Sequence, residues 1–368
     1  MTLDNQKINI AVVGATGRIG ADIIDLLSLR NFKINKLFAV ASKKSAGSHI
    51  NFQNKQIIVQ DLENFDFSEI DIAFFAIDDD NSLKYIEIAR SKGVHVIDNS
   101  SAFRMKEDAI LIVPEVNGEE IDKGYVDFIN SENNDKGLLI CNPNCCVIPL
   151  VVALKSFENS CFKPIRASVS TYQSVSGAGK AAMDELFANT KANFGPGFSK
   201  KSEEESVFEY EISFNCIPKI GQIDNETGYT SEEIKIIEEP RKILKSMKIF
   251  NDLKINATCV RVPVFVGHCE SIDIQFDDKN INLEDFNYQN ISEIIDQNDF
   301  IDFYPNETNH VLTPRDCIKR DEVLACRLRI DKSVKAGISL FLVSDNLHKG
   351  GALNAVQIAE RLIHNMNT

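Results

Sequence analysis

Two thiols stand side by side at Cys145 and Cys146, in the run CNPNCCVIPL. Pro143 biases Asn142 toward extended backbone and closes a strand. Asn144 is a good helix N-cap, which predicts Cys145 as the first residue of a helix. The positive end of the helix dipole would lower its pKa and favour the thiolate nucleophile. In a helix Cys146 lies about 100° further round, so it is expected to face away and serve as packing. The competing reading of Cys145 is a buried structural thiol. A partner base would come from CVRVPVFVGHCE, which carries Arg261 and His268. In one continuous strand these two residues point to opposite faces. A bulge or turn at Pro263 or Gly267 would let His268 reach Cys145 as general acid/base.

A second constellation is GATGRIG, with Gly14, Gly17 and Gly20 between a β-branched run and an apolar-periodic run. Such glycines permit a tight turn and close backbone approach. The following helix N-terminus offers free N–H groups to a pyrophosphate. A tight βα turn without ligand is the bland alternative. The end of the next strand reads ASKKSAG and carries no acid for a ribose 2′-hydroxyl. Ser42, Lys43, Lys44 and Ser45 suit a 2′-phosphate, which favours NADP over NAD; a solvated lysine pair is the alternative.

These residues need elements to hold them. KINIAVV, INKLFAVAS, KQIIVQDL, IDIAFFAI, VHVIDNS, AILIV and LLICNP read as strands. They alternate with helical patterns, among them RIGADIIDLLSLR and NSLKYIEIARSKG. That order predicts an α/β fold with a mostly parallel, doubly wound sheet. Residues 119–137 read as an insertion. Further on, PIRASVSTYQSVS, KINATCVRVPVFVGH and ESIDIQF are longer strands with alternating faces. With helical GKAAMDELFANTKANF and SEEIKIIEEPRKILKSM they predict an α+β domain with a largely antiparallel sheet. The run 193–206 reads as a mobile loop. The expected division is a dinucleotide-binding domain over 1–145 and a catalytic domain over 146–345. A C-terminal helix within 346–368 is expected to pack back on the first domain.

At 368 residues, 43% apolar and 26% charged, the composition is that of a folded globular chain. A formal net charge of -14 argues against a nucleic-acid-binding surface. No apolar run is long enough to span a bilayer, and the N-terminus lacks a signal-peptide pattern. Nine scattered cysteines read as reduced cytoplasmic thiols. Neither the cysteines nor the histidines show metal-ligand spacing, so no metal site is expected.

Along nearly its whole length the chain resembles the aspartate-β-semialdehyde dehydrogenase family. The resemblance rests on GATGRIG, DNSSAFRM, VPEVN, NPNC, YQSVSGAG, FNCIPKIG, EEIKIIEEPRKI, RVPVFVGHCE and DNLHKGGALNAVQIAE, in that order. It implies a Rossmann-type dinucleotide-binding domain and an α+β catalytic and dimerisation domain, arranged as in glyceraldehyde-3-phosphate dehydrogenase. The implied reaction is NADPH-dependent reduction of L-aspartyl 4-phosphate to the semialdehyde and phosphate. It opens the branch to lysine (through diaminopimelate), threonine and methionine. Cys145 matches the nucleophile that carries a thioester, His268 the acid/base, and Gln173 the residue that positions the acyl group. Arg104 and Lys235 match phosphate-site residues, Arg261 the clamp on the substrate carboxylate, and Glu232 the partner of its ammonium. Asn144 is carried over as a further substrate contact. Gly14, Ala15, Thr16, Gly17, Arg18, Ile19, Gly20, Ser42, Lys44, Ser45, Ser176, Gly177 and Asn346 are carried over as NADP contacts. Gly350 and Gly351 are expected to let the chain approach the cofactor. A homodimer or homotetramer is implied.

The family commonly has Arg at Lys44, Ser or Ala at Cys146 and Ser at Cys269. Both extra thiols are expected near the site. Two rivals stand beside this reading. An N-acetyl-γ-glutamyl-phosphate reductase tends to have Gly where Asn144 stands and needs no partner for a free ammonium. A catalytically silent homologue would lose Cys145 or His268, and both are present.

Overall fold

The computed structural model describes residues 8–131, 136–195 and 206–368. The run 193–206, read from the sequence as a mobile loop, falls largely outside them. The chain forms two compact units. One holds the residues up to Pro143 together with Gly351–Thr368, and the other holds Asn144–Gly350.

The first unit begins with β1 (Ile8–Val13), α1 (Arg18–Leu29) and β2 (Ile34–Ala41). A hairpin of β3 (His49–Phe52) and β4 (Lys55–Ile58) and the short β5 (Gln60–Asp61) follow. Then come β6 (Ile72–Phe75), α2 (Asp79–Arg90), β7 (His95–Asp98), β8 (Ala109–Leu111), α3 (Pro114–Asn117), α4 (Glu119–Asn130) and β9 (Leu139–Cys141). Seven strands pair in the order β5-β2-β1-β6-β7-β9-β8, and every pairing is parallel. The central strands are buried along their length, as an apolar strand must be when both sheet faces are covered. The run KQIIVQDL departs from expectation. Only its end, β5, joins the sheet, and KQII forms the separate hairpin. Residues 119–130, read as an insertion, form an amphipathic helix. Asp122 of α4 takes a two-pronged ion pair from Arg361 on the C-terminal helix. That helix packs on α4, α1 and α3, and its apolar side joins the unit's core.

The second unit contains α5 (Val147–Lys155), β10 (Pro164–Gln173), α6 (Lys180–Ala192), α7 (Ser231–Ile243), β11 (Lys254–Arg261) and β12 (His268–Phe276). It continues with α8 (Tyr288–Asp296), β13 (Ile301–Tyr304), β14 (Val323–Ile330) and β15 (Gly337–Ser344). The strand order is β11-β10-β12-β15-β14-β13. β10 runs parallel to β11 and β13 parallel to β14, while the other three pairings are antiparallel. The sheet is therefore mixed rather than largely antiparallel, and β13, β14 and β15 extend it beyond the three strands read from the sequence. Burial alternates along β10, leaving Tyr172 exposed and Gln173 buried. α5 is apolar on all sides and buried from Val147 to Leu154. α7 starts in a capping box between Thr230 and Glu233, and Glu233 also accepts from the Cys259 N–H of β11. This fixes α7, and with it Glu232, against the sheet edge.

Candidate active site

The two thiols do not sit as the sequence suggested. α5 begins at Val147 with Cys146 as its N-cap, so Cys145 precedes the helix. Asn144 still supplies the capping bond, because its Oδ1 accepts from the Cys146 N–H at 2.8 Å. Its carbonyl accepts from Val147 and Ile148. The correction has a consequence for the side chains. Helical spacing does not apply to a residue outside the helix, and the sulfurs of Cys145 and Cys146 and a ring nitrogen of His268 lie within 4.8 Å of one another. Cys145 is half-buried and Cys146 fully buried. The Cys146 thiol donates to Cys145 and, with the adjacent His268, holds its pKa well below the ordinary thiol value against the opposing effect of burial. Burial and the neighbouring sulfur push Cys146 well above it. The largest influence lowering the Cys145 pKa is the neighbouring Cys146 S–H, followed by His268.

The geometry of Arg261 and His268 is settled by a strand break. β11 ends at Arg261 and β12 starts at His268, with the intervening turn closed by Gly267 at φ 93°. The two strands flank β10 on opposite sides, and Arg261 pairs in register with Gln173. Ser174, just past β10, ties both together. Its carbonyl accepts from Arg261 Nη1 at 2.7 Å, and its N–H donates to His268 Nδ1 at 3.1 Å. That bond fixes Nδ1 as an acceptor, so the neutral ring carries its proton on Nε2. Nε2 is buried and, among the described residues, has no hydrogen-bond partner. Burial lowers the Arg261 pKa, and Glu232 and the nearby cysteines oppose this.

Gln173 and Asn144 converge on Glu232. Its Oε1 accepts from Asn144 Nδ2 at 2.8 Å and from Gln173 Nε2 at 3.1 Å, and its Oε2 from Lys235 Nζ at 3.3 Å. Burial opposes ionisation of Glu232. Lys235 and the amide donors outweigh it and keep its pKa below the ordinary carboxylate value. Glu239, which the sequence reading passed over, accepts from the Asn144 N–H at 2.7 Å. Asn346 Oδ1 accepts from the Gly267 N–H at 3.0 Å and faces the Ser174 and Ser176 hydroxyls. A Cβ on Gly177 would come within 3.1 Å of Arg261 Nη1 and 3.4 Å of His268 Nε2. Ser176, Gly177 and Asn346, expected at the cofactor, therefore gather around His268 and Arg261. Cys269, expected near the site, faces the other side of β12 and packs with Leu312, Cys317 and Cys326.

Gly350, expected to let the chain approach the cofactor, also leaves room for Cys145. A Cβ there would lie 2.7 Å from the Cys145 Cβ. Gly350→Ala should displace Cys145 and slow its alkylation by iodoacetamide about 10-fold or more, by analogy with other misplacements of about 1 Å. The rate of Cys145 carboxamidomethylation, followed by mass spectrometry, checks this. Unchanged labelling would show that the contact is absorbed elsewhere.

In the first unit the glycine turn has the form a dinucleotide needs. Gly14 adopts φ 89°, and a Cβ there would lie 2.2 Å from the Ala76 carbonyl oxygen. A Cβ on Gly20 would lie 2.2 Å from the Gly14 oxygen, so α1 can cross the turn only with glycine there. Gly17 is the N-cap of α1, with no side chain capping the helix N–H groups. Ala15 and Ile19 pack in the core, and Arg18 pairs with Asp22. Thr16 Oγ1 donates to Ser45 Oγ at 3.3 Å, joining this turn to the 42–45 turn after β2. Ser42, Lys43 and Lys44 are exposed there. Open helix N–H groups beside two hydroxyls and two cations fit a phosphorylated dinucleotide. Arg104 is buried in this unit and donates to the Asn99 carbonyl at 3.1 Å. Among the described residues, the buried Asn99 side-chain amide has no partner for Nδ2 or Oδ1. It is a candidate ligand group that no sequence pattern flagged.

A family model described as "Semialdehyde dehydrogenase, NAD binding domain" matches residues 9–124, and one described as "Semialdehyde dehydrogenase, dimerisation domain" matches 154–349. An aspartate-semialdehyde dehydrogenase of Rickettsia bellii is 43% identical, covering 97% of this chain and 98% of its own length. One from Aquifex aeolicus is 40% identical over 96% of this chain and 97% of its own. The crystal structure of aspartate semialdehyde dehydrogenase II from Vibrio cholerae, complexed with ASA, superposes with a TM-score of 0.85 at 39% identity. It covers 98% of this chain and 99% of that one. With both units matched and the relatives aligned nearly end to end, the chain belongs to the aspartate-semialdehyde dehydrogenase family of oxidoreductases.

Proposed function

We propose that this chain reduces L-aspartyl 4-phosphate to L-aspartate 4-semialdehyde and phosphate through a thioester on Cys145. The observation that carries the reading is the Cys145 sulfur held within 4.8 Å of a His268 ring nitrogen, in the unit that also holds Gln173 and Arg261. The Cys145 sulfur attacks the acyl carbon, the carbon–oxygen bond to phosphate breaks, and phosphate leaves with the electron pair. A bound NADPH supplies the hydride that reduces the thioester. His268 Nε2–H donates to the oxygen that becomes anionic as the thioester is reduced. The proton returns as the carbon–sulfur bond breaks and the aldehyde departs.

Arg261 binds the substrate carboxylate, for which a planar guanidinium offers two parallel donors. Glu232 receives the substrate ammonium, with Asn144 and Gln173 orienting its carboxylate. Lys235 is the candidate phosphate ligand of the second unit, and Arg104 is that of the first. The turn at Gly14–Gly20 holds the pyrophosphate, and Ser42, Lys44 and Ser45 hold the 2′-phosphate of NADP. The open face of the second unit's sheet, with Arg166, Ser168, Ser170 and Tyr172 of β10, supports association as a homodimer or homotetramer, to be measured by analytical ultracentrifugation. All nine cysteines are free, which supports a reducing, cytoplasmic setting.

The reverse assay tests the activity directly. Aspartate semialdehyde, phosphate and NADP should yield reduced nicotinamide, with NADP preferred over NAD. The N-acetyl-γ-glutamyl analogue should turn over far more slowly, and equal rates would overturn the substrate assignment. Arg261→Lys should lower kcat/KM about 10–100-fold, because a lysine cannot supply the second parallel bond, worth roughly 1.5–3 kcal/mol. Steady-state kinetics against semialdehyde concentration provides the check.

A further inference from the structure

We propose that Cys145, Cys146 and His268 form a binding site for one thiophilic divalent cation of the Zn2+ or Cd2+ class. The three donor atoms come from the turn before α5 and the start of β12, and they lie within 4.8 Å of one another. A tetrahedral zinc site with two sulfurs and one nitrogen needs donors about 3.5–3.8 Å apart, from its usual bond lengths. Closing the present cluster to that size takes side-chain shifts of about 1 Å. Two further observations point to a ligand. Among the described residues, the Nε2 of His268 is buried without a hydrogen-bond partner, and so are both carboxylate oxygens of Glu270. Glu270 follows His268 by two residues on β12, on the same side of the strand, and its carboxylate lies near Cys145 and Cys146.

The surroundings suit a cation once it is bound. Two thiolates cancel its charge, which a buried site requires. Metal-bound histidines place their second nitrogen against an acceptor. Here Ser174 Oγ lies 3.1 Å from Nδ1 and can pass its own proton to Asn346 Oδ1 at 3.2 Å. On binding, the hydrated cation gives up water ligands to the solvent as two sulfur–metal bonds and one nitrogen–metal bond form. Cys146 releases its thiol proton to solvent, Cys145 binds as the thiolate, and the imidazole proton moves to Nδ1, which then donates to Ser174 Oγ as acceptor. The Ser174 N–H gives up its bond to that nitrogen, a cost that the metal bonds must exceed. No electron is transferred. Cys146 stands where the family commonly has Ser or Ala, so the second soft ligand comes from this chain's own sequence. A cation held there would occupy the same sulfur that the proposed acyl chemistry uses.

The test uses the full-length, reduced protein and reads binding, not turnover. Equilibrium dialysis against Cd2+ should give one tightly held ion per chain, with an ultraviolet thiolate-to-cadmium band. Cys146→Ser should weaken binding at least 10-fold and diminish the band, while Cys161→Ser, at an exposed thiol, should change neither. In the unaltered protein, saturating Zn2+ should protect Cys145 from iodoacetamide, and EDTA should restore its labelling. Binding that is unaffected by Cys146→Ser, or Cys145 labelling that proceeds at full rate under saturating Zn2+, overturns the proposal. A thermal unfolding midpoint for Cys146→Ser within a few degrees of the parent ensures that lost affinity reports the ligand and not the fold.

Discussion

Cys145→Ser is expected to lower kcat by about 10^4-fold or more, in line with the loss of a nucleophile in other covalent mechanisms. A hydroxyl is nearly isosteric but far less acidic than a thiol, so it stays protonated and a poor nucleophile where the thiol ionises. The pH dependence of alkylation provides an independent reading. The Cys146 S–H bond and the adjacent His268 depress the Cys145 pKa, so the folded protein holds thiolate at pH values where an ordinary cysteine is mostly protonated. Its reaction with iodoacetamide should therefore stay on a plateau through neutral pH and decline only in more acidic solution. A free thiol has only a few per cent thiolate near pH 7 and loses reactivity sooner. Mass-resolved labelling of Cys145 from acid to alkaline pH measures the curve. A midpoint at or above the ordinary thiol value would refute the activated state.

His268→Gln is expected to lower kcat by about 10^2–10^4-fold, the usual contribution of a positioned acid or base. Gln is chosen because it keeps a polar group near the Ser174 N–H, which now donates to His268 Nδ1. Without that partner a buried N–H would be orphaned, costing about 1–3 kcal/mol and confusing stability with catalysis. If the donor role at Nε2 is correct, the variant should bind the nucleotide normally and still form the thioester. Its decay to aldehyde should be slow. Rapid-quench detection of acyl-protein separates these steps, and an unaltered kcat would remove His268 from the mechanism.

The sequence determined the elements and most of the chemistry-bearing residues. A strand, a glycine turn and a helix at Gly14–Gly20 follow from local rules, because φ > 0 and close backbone crossing demand glycine whatever the rest of the chain does. Alternating strands and helices fixed a parallel sheet by the same local logic. Asn144 declared itself as a capping residue, and the structure retains its bond to the Cys146 N–H while moving the helix start by two residues. The error concerned side-chain direction, which depends on whether a residue lies inside the helix or before it.

Only the tertiary structure decided which groups meet. Ser174 joins Arg261 to His268 because β11 and β12 lie on either side of β10, and no spacing along the chain encodes that strand order. Glu239 reaches the Asn144 N–H, and Glu232 gathers Asn144, Gln173 and Lys235, because α7 is pinned to the edge strand β11 through Glu233. The cluster of two sulfurs and an imidazole is likewise invisible in sequence, since its third donor arrives from a strand far along the chain. Local propensity acts within a few residues and leaves its mark on the sequence. The electrostatics of Cys145 depends on distances of a few ångströms between distant segments, and those distances exist only once the sheet has formed.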